Sequence, residues 1–161
     1  MKHLQALREL IERLPERLRA VSAEQAAHKS APNAWSKKEE LGHLLDSAAN
    51  NYQRIVRIQL EEKPAMPSYD GDAWVELQRY QERDWTSLIE LWQALNRQLL
   101  AAAEAAAGGS WSRTCTIGDS QPLTLQFVFD DYVDHMVHHL KHMGVDVRDI
   151  APSEASQSSG V

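Results

Sequence analysis

Seven histidines occur in the 161 residues, and four of them crowd one stretch: His135, His138, His139 and His142. His135 and His139 are spaced i and i+4, so on a helix both imidazoles leave the same face one turn apart. A divalent metal can bridge such a pair, as at other helical His-x-x-x-His sites. His138 and His142 form a second pair of the same spacing. Spacing alone therefore does not choose between a metal pair and a polar helix edge. A third ligand has to come from another helix, and His43 is the candidate, following Gly42 inside the apolar run of Leu41, Leu44 and Leu45. Three neutral imidazoles leave coordination positions open for water or substrate, the arrangement of a catalytic rather than a structural metal site. Without a metal, the same residues are a hydrogen-bonded core histidine and two solvated edge residues. Asp131, one turn before His135, and Asp134 beside it could accept a proton from a ligand ring nitrogen. Otherwise they lie on a solvated helix face.

A rival metal reading starts from Glu40-x-x-His43, which matches the Glu-x-x-His element of carboxylate di-iron bundles. That chemistry needs a second copy, and Tyr132 and Met136 stand where the second Glu would have to precede His135 and His139. The one cysteine, Cys115, lies in a long loop without a supporting nucleophile motif and reads as incidental. A single cysteine also excludes an intrachain disulfide framework and a Cys-rich zinc site. There is no Gly-x-Ser-x-Gly and no phosphate-binding Gly-rich loop.

Composition narrows the classes further. Hydrophobic residues make up 43% and charged residues 25%, as in an ordinary globular domain. Basic residues number 17 against 23 acidic, a net charge of −6. An extended nucleic-acid surface needs clustered excess Lys and Arg, so no nucleic-acid partner is expected. No apolar run approaches the ~20 residues that span a bilayer. The N-terminal Met1-Lys2-His3-Leu4 enters an amphipathic pattern directly, without a signal-peptide apolar stretch. A cytoplasmic location and no membrane partner are the expectations.

The elements that must position the histidines are helical. Leu4, Leu7, Leu10, Ile11, Leu14 and Leu18 recur at the period of one helix face. Pro15 predicts a kink or break there, and residues 22–26 continue or restart the helix. Residues 30–34 form a loop. Ser36 and Glu39 make a capping box for a second helix, whose stripe runs from Leu41 through Tyr52 and Ile55 to Leu60. A loop over residues 61–70 follows, of a length common between helices packed side by side. Asp72 is read as the cap of a third helix, running through Trp74, Leu77, Trp85, Leu88, Trp92 and Leu99 to a stop at Gly108-Gly109. Residues 110–124 hold a short extended or hairpin segment around Trp111, Thr114, Thr116 and Ile117. Thr124 caps the last helix, which Gly144 stops. Four amphipathic helices, with one long connection between the third and the last, give an all-α four-helix bundle over residues 1–150. Residues 151–161 read as a disordered polar tail.

With the residues in this order, the segment Trp35-Ser36-Lys37-Lys38-Glu39-Glu40-Leu41-Gly42-His43-Leu44-Leu45-Asp46-Ser47, followed far downstream by His135-x-x-x-His139-x-x-His142-Met143, resembles the DinB-like superfamily. The resemblance covers roughly residues 4–146. It implies a four-helix bundle with a metal-binding histidine triad that falls on His43, His135 and His139. His142 stands where relatives often carry Gln and is not counted as a ligand. The implied cofactor is a divalent metal ion, commonly nickel or zinc. The implied activity is that of the bacillithiol-, mycothiol- or glutathione-using thiol S-transferases, or of a mycothiol-dependent isomerase. In that chemistry the metal lowers the thiol pKa, and the thiolate attacks an electrophile.

Asn50, Arg54 and Arg57 step along the same edge of the second helix as His43. The two arginines could hold a carboxylate of a tripeptide-like thiol cofactor, or the edge is simply solvated. The five tryptophans are core or rim, with one or two walling a pocket. Three functions are carried forward. The first is a thiol transferase acting on a small-molecule thiol and an electrophile. The second is a non-catalytic, stress-related metal- or ligand-binding bundle. The third is a metal-dependent hydrolase using Glu39, Glu40 or Asp46 as base. Basic residues beside the triad favour the first, and a wholly apolar lining favours a binder of hydrophobic ligands. A homodimer through an apolar face of the first helix is expected from the class alone.

Overall fold

Each apolar stripe in the sequence is buried against two neighbouring helices. The computed structural model describes residues 2–106 and 108–150, so the expected tail, residues 151–161, lies outside the described residues. Helix α1 (Lys2–Arg19) and a short α2 (Ala23–Ala27) precede the long α3 (Lys37–Leu60). Then come α4 (Gly71–Gln78), α5 (Trp85–Glu104) and α6 (Leu125–His142). Helix α3 packs on α5 and on α6, and α1 packs on the same two from the other side. The result is a four-helix bundle of α1, α3, α5 and α6. Its core includes Leu7, Leu10, Leu14 and Leu18 from α1, Leu41 and Leu44 from α3, Trp92 from α5, and Phe129 and Met136 from α6. The apolar stripe of α1 is thus inside the bundle. Among the described residues, the large apolar side chains that remain exposed are Leu60, Trp74, Leu77, Leu91 and Phe127.

Helix α1 does not break at Pro15. A proline has no N–H to give the carbonyl one turn back, which usually leaves that carbonyl bare. Here the Ile11 carbonyl accepts from the side chain of Gln93 on α5 at 2.9 Å, so the acceptor lost to Pro15 is satisfied from a neighbouring helix. Helix α2 restarts the chain behind Ser22, which forms a capping box with Gln25. The box predicted at Ser36 and Glu39 starts α3.

The predicted third helix is two helices. Asp70, not Asp72, caps α4, its carboxylate accepting from the Ala73 N–H at 3.1 Å. Arg79 then takes a left-handed conformation, φ 51° and ψ 46°. Asp84 caps α5 by accepting from the Ser87 N–H at 2.7 Å. The break lets α4 fold over the side of α3 while α5 packs along it. Leu77 of α4 is therefore exposed and Leu88 of α5 is buried, although both fit one helical period.

The long connection before α6 carries the extended segment anticipated around Thr114. Strand β1 (Ala65–Met66) pairs parallel with β2 (Thr114–Ile117), and β2 pairs antiparallel with β3 (Leu123–Thr124). The register sets Ala65 opposite Thr116 and Cys115 opposite Leu123. Thr124 caps α6 as expected, its hydroxyl accepting from the Phe127 N–H. Gly144 adopts φ 73°, which glycine takes without strain, and closes α6.

Candidate metal centre

Helices α3 and α6 lie side by side and bring three imidazoles to one point. His43 projects from α3, and His135 and His139 from successive turns of α6. One ligand-capable atom from each falls within 4.8 Å of the other two. The Nε2 atoms of His43 and His135 are 3.2 Å apart. Two nitrogens each bound at ~2.0–2.1 Å to one ion would span about 3.0–3.4 Å, so this separation already fits a shared ion. The ring centroids of His139 lie 4.6 Å from His43 and 4.5 Å from His135.

The chemical state of the rings fits as well. Burial first, and neighbouring imidazoles second, push the pKa of His135 down to about 4. Burial, followed by the His139 charge, lowers that of His43. Both rings are therefore neutral near pH 7, the state with a free lone pair for a metal. His139 is held differently. Its Nδ1 lies 2.6 Å from a carboxylate oxygen of Glu40, which fixes the tautomer with Nδ1–H donating and Nε2 free. Nδ1 of His43 and Nδ1 of His135 are buried without a protein partner. The donor set, the neutral rings and the nitrogen spacing all fit a divalent ion.

The surroundings explain why His43 tolerates so apolar a helix. Gly42, next to it, leaves room for the Tyr80 ring, whose atoms would lie 2.1–2.7 Å from any β-carbon there. Gly71, the first residue of α4, roofs the His43 ring. A β-carbon at residue 71 would stand 3.0 Å from Cε1 and 3.2 Å from Nδ1. Trp35, just ahead of the Ser36 cap, walls the site with its ring centroid 5.1 Å from His43 and 6.3 Å from His139. A cleft of about 490 Å³ opens beside Trp35 onto His139, with Asp72, Glu40 and His142 on its lining.

With this geometry in place, comparison with known proteins is decisive for the family. The DinB superfamily model matches residues 6–143. The chain belongs to the DinB superfamily. Among relatives, YfiT of Bacillus subtilis is 27% identical over 143 residues, covering 88% of this chain and 80% of YfiT. BH0277 of Halalkalibacterium halodurans is 24% identical over 134 residues, covering 81% and 78%. Both names place those proteins among metal-dependent hydrolases. The solved structure of YfiT, described as having an unusual four-helix bundle topology, superposes with a TM-score of 0.71 at 24% identity, over 90% of this chain and 87% of that one. The crystal structure of the mycothiol-dependent maleylpyruvate isomerase superposes with a TM-score of 0.66 at 12% identity, over 89% of this chain and 58% of the isomerase. The DinB bundle is therefore the fold, and metal dependence of the relatives together with the three-histidine cluster supports a divalent metal here.

The other residues singled out in the sequence are placed as follows. Asp134 does not reach a triad ring; it faces His3 Nε2 at 3.1 Å, and Asp130 faces His3 Nδ1 at 2.7 Å. Asp131 is exposed and makes no hydrogen bond to His135, whose Nδ1 has no protein partner. The carboxylate that does engage a triad ring is Glu40. Its signal in the sequence was Glu40-x-x-His43, read toward a di-metal site. His138 is exposed, with its ring 4.9 Å from that of His142. Asn50 turns back to donate to the Asp46 carbonyl. Arg54 is half-buried, donates over long distances to Asn51 Oδ1 and the Pro67 carbonyl, and lies beside the Tyr69 ring. Arg57 forms a bidentate pair with Glu61, roughly 21 Å along the helix axis from His43 at ~1.5 Å per residue. The structure thus gathers the three histidines and leaves Arg57 apart from them. Glu39 is taken by the Ser36 cap and Lys29. Asp46 is buried and accepts from the Tyr80 hydroxyl at 2.6 Å and from Gln78. Among the described residues no helix is long and apolar enough to cross a membrane.

Proposed function

We propose that this chain is a metal-dependent thiol S-transferase in which His43, His135 and His139 hold one divalent ion, nickel or zinc as the family resemblance implies. The observation that carries the reading is the convergence of three imidazoles beside an open cleft. A bound divalent ion would supply Lewis-acid stabilisation of a thiolate near neutral pH. The protein supplies the rest. Glu40 holds His139 in one tautomer and one orientation. Burial keeps His43 and His135 neutral. Trp35 and Gly71 close two sides of the site and limit water around it. Arg54 is the half-buried cation on α3 available to a carboxylate at the far end of a thiol cofactor, with Asn50 on the intervening turn. The metal dependence of the named relatives supports the ion, and the mycothiol dependence of the isomerase with the same fold supports the thiol.

Hydrolysis is the second reading, favoured by the names of YfiT and BH0277. It requires a carboxylate to take a proton from water. Glu39, Glu40 and Asp46 are each engaged elsewhere, which leaves Asp72 at the mouth. Elemental analysis of untagged, chelator-free protein beside His43→Ala, His135→Ala and His139→Ala tests the site. About one divalent ion per chain, lost in each variant, is the expected result. Its absence after incubation with nickel or zinc overturns the metal reading. Loaded protein is then assayed for thiol conjugation to electrophiles and for ester and amide hydrolysis. Conjugation supports the transferase, hydrolysis alone replaces it with the second reading, and neither leaves a binding protein.

A further inference from the structure

The cleft over His139 has a sign of charge that the sequence did not suggest. Its lining among the described residues holds two carboxylates, Asp72 and Glu40, and neither lysine nor arginine. Lys37, on the adjoining cleft that shares Trp35, Glu40 and His142, donates to the Met143 carbonyl, and Lys29 pairs with Glu39 at 2.8 Å. Asp72 sits exposed in the first turn of α4, and its charge reaches the His43 ring. It makes no hydrogen bond or ion pair among the described residues. Trp35 adds an aromatic wall, which attracts a cation over its face.

We infer that this mouth selects thiols carrying a cationic amine, and that Asp72 is the specificity-determining residue that reads the charge. The inference rests on the metal-and-thiol reading above. A divalent ion, a thiolate and the carboxylates of Glu40 and Asp72 leave one net negative charge in the cleft. An ammonium on the ligand arm neutralises it. A neutral arm leaves it, and a carboxylate on that arm doubles it. Arg54 follows His43 on α3 by about three turns, whereas Glu40 precedes it, and lies over Tyr69, so a carboxylate remote from the sulfur is still accommodated there. The site is dipolar, with its negative end at Asp72.

The test uses the full chain loaded with cobalt(II), whose thiolate charge-transfer absorption reports binding directly. Cysteamine, N-acetylcysteamine and 3-mercaptopropionate differ in the charge of one arm. Comparing native protein with Asp72→Asn for each probe cancels the intrinsic acidity of each thiol. The expected result is a split in sign: the variant binds cysteamine about threefold to tenfold more weakly and 3-mercaptopropionate more tightly by a similar factor, with N-acetylcysteamine, whose thiolate alone feels Asp72, tightened by less than 3-mercaptopropionate. Asp72→Lys enlarges the split. A general loosening of the site would shift all three probes in one direction. The same change for all three, or no change, overturns the role of Asp72 while leaving the thiol site standing. Cobalt binding without a thiol response to any probe overturns the thiol reading, and this inference with it.

Discussion

Replacing Asp46 by Asn should stabilise the chain at pH 7 and leave its stability at pH 4 unaltered. Asp46 is 2% exposed, and one of its carboxylate oxygens has no partner. Burial outweighs the Tyr80 hydrogen bond and lifts its pKa from 3.8 to about 6. The folded chain therefore holds this proton more tightly than the unfolded chain. Stability falls as pH rises between these two values, and the loss is complete above the folded pKa. A shift of about two units corresponds to about 3 kcal/mol. The histidines act oppositely. His135 titrates near 4 when folded against 6.5 when unfolded, so its contribution is present above 6.5 and is lost as pH falls. Native stability alone mixes the two slopes, but the difference between variant and native isolates Asp46. Asn keeps the volume and the carbonyl that accepts from Tyr80. The assay is urea unfolding followed by tryptophan fluorescence, with chelator present, at unit steps from pH 4 to pH 7. The expected difference is near zero at pH 4 and about 1–3 kcal/mol in favour of the variant at pH 7. A difference that does not grow with pH refutes the reasoning, because it would mean that the ionised form is fully compensated by Tyr80 and Gln78.

Two further outcomes follow from close contacts. Gly71→Ala places a β-carbon 3.0 Å from the His43 ring. It should lower metal affinity about tenfold, measured by chelator competition, while thermal stability changes by less than about 1 kcal/mol because Ala favours the helix. Gln93→Leu leaves the Ile11 carbonyl without its side-chain donor and should cost about 1–2 kcal/mol in urea unfolding. In a Pro15→Ala background, which restores the backbone N–H, the same substitution should cost markedly less, and equal costs in the two backgrounds would sink the explanation for the unbroken helix.

The bundle was legible wherever a single period governed both packing and pattern. Leu7, Leu10, Leu14 and Leu18 repeat on one face and are buried together. Ser36 with Glu39, Thr124 and Gly144 mark ends that the backbone enforces locally. The division of the third helix was not legible, because Trp74, Leu77, Trp85 and Leu88 keep helical spacing across Arg79. The signal lay in two competing caps, Asp70 and Asp84, and Asp72 looked equally suitable for the first. Pro15 failed as a breaker for a different reason. Whether a missing donor breaks a helix depends on who else reaches the bared carbonyl, and Gln93 comes from a distant part of the chain.

The histidine site divides in the same way. His135 and His139 share a face by helix geometry alone, and His43 stands out as a polar residue in an apolar run. Their carboxylate neighbours do not follow from sequence distance. Asp134, adjacent to His135, leaves the helix about 100° around from it at 3.6 residues per turn, and meets His3. Glu40 lies one turn before His43 on the same face, yet its partner is His139 across the helix interface. Asp72 is the extreme case. It is exposed, it makes no hydrogen bond or ion pair among the described residues, and another aspartate performs the capping that its position suggested. Folding places little demand on such a residue. Under the proposed metal reading the ion constrains the three histidines, and support of His139 constrains Glu40. The charge at the mouth is therefore the feature of this site most free to differ between bundles that bind metal in the same way.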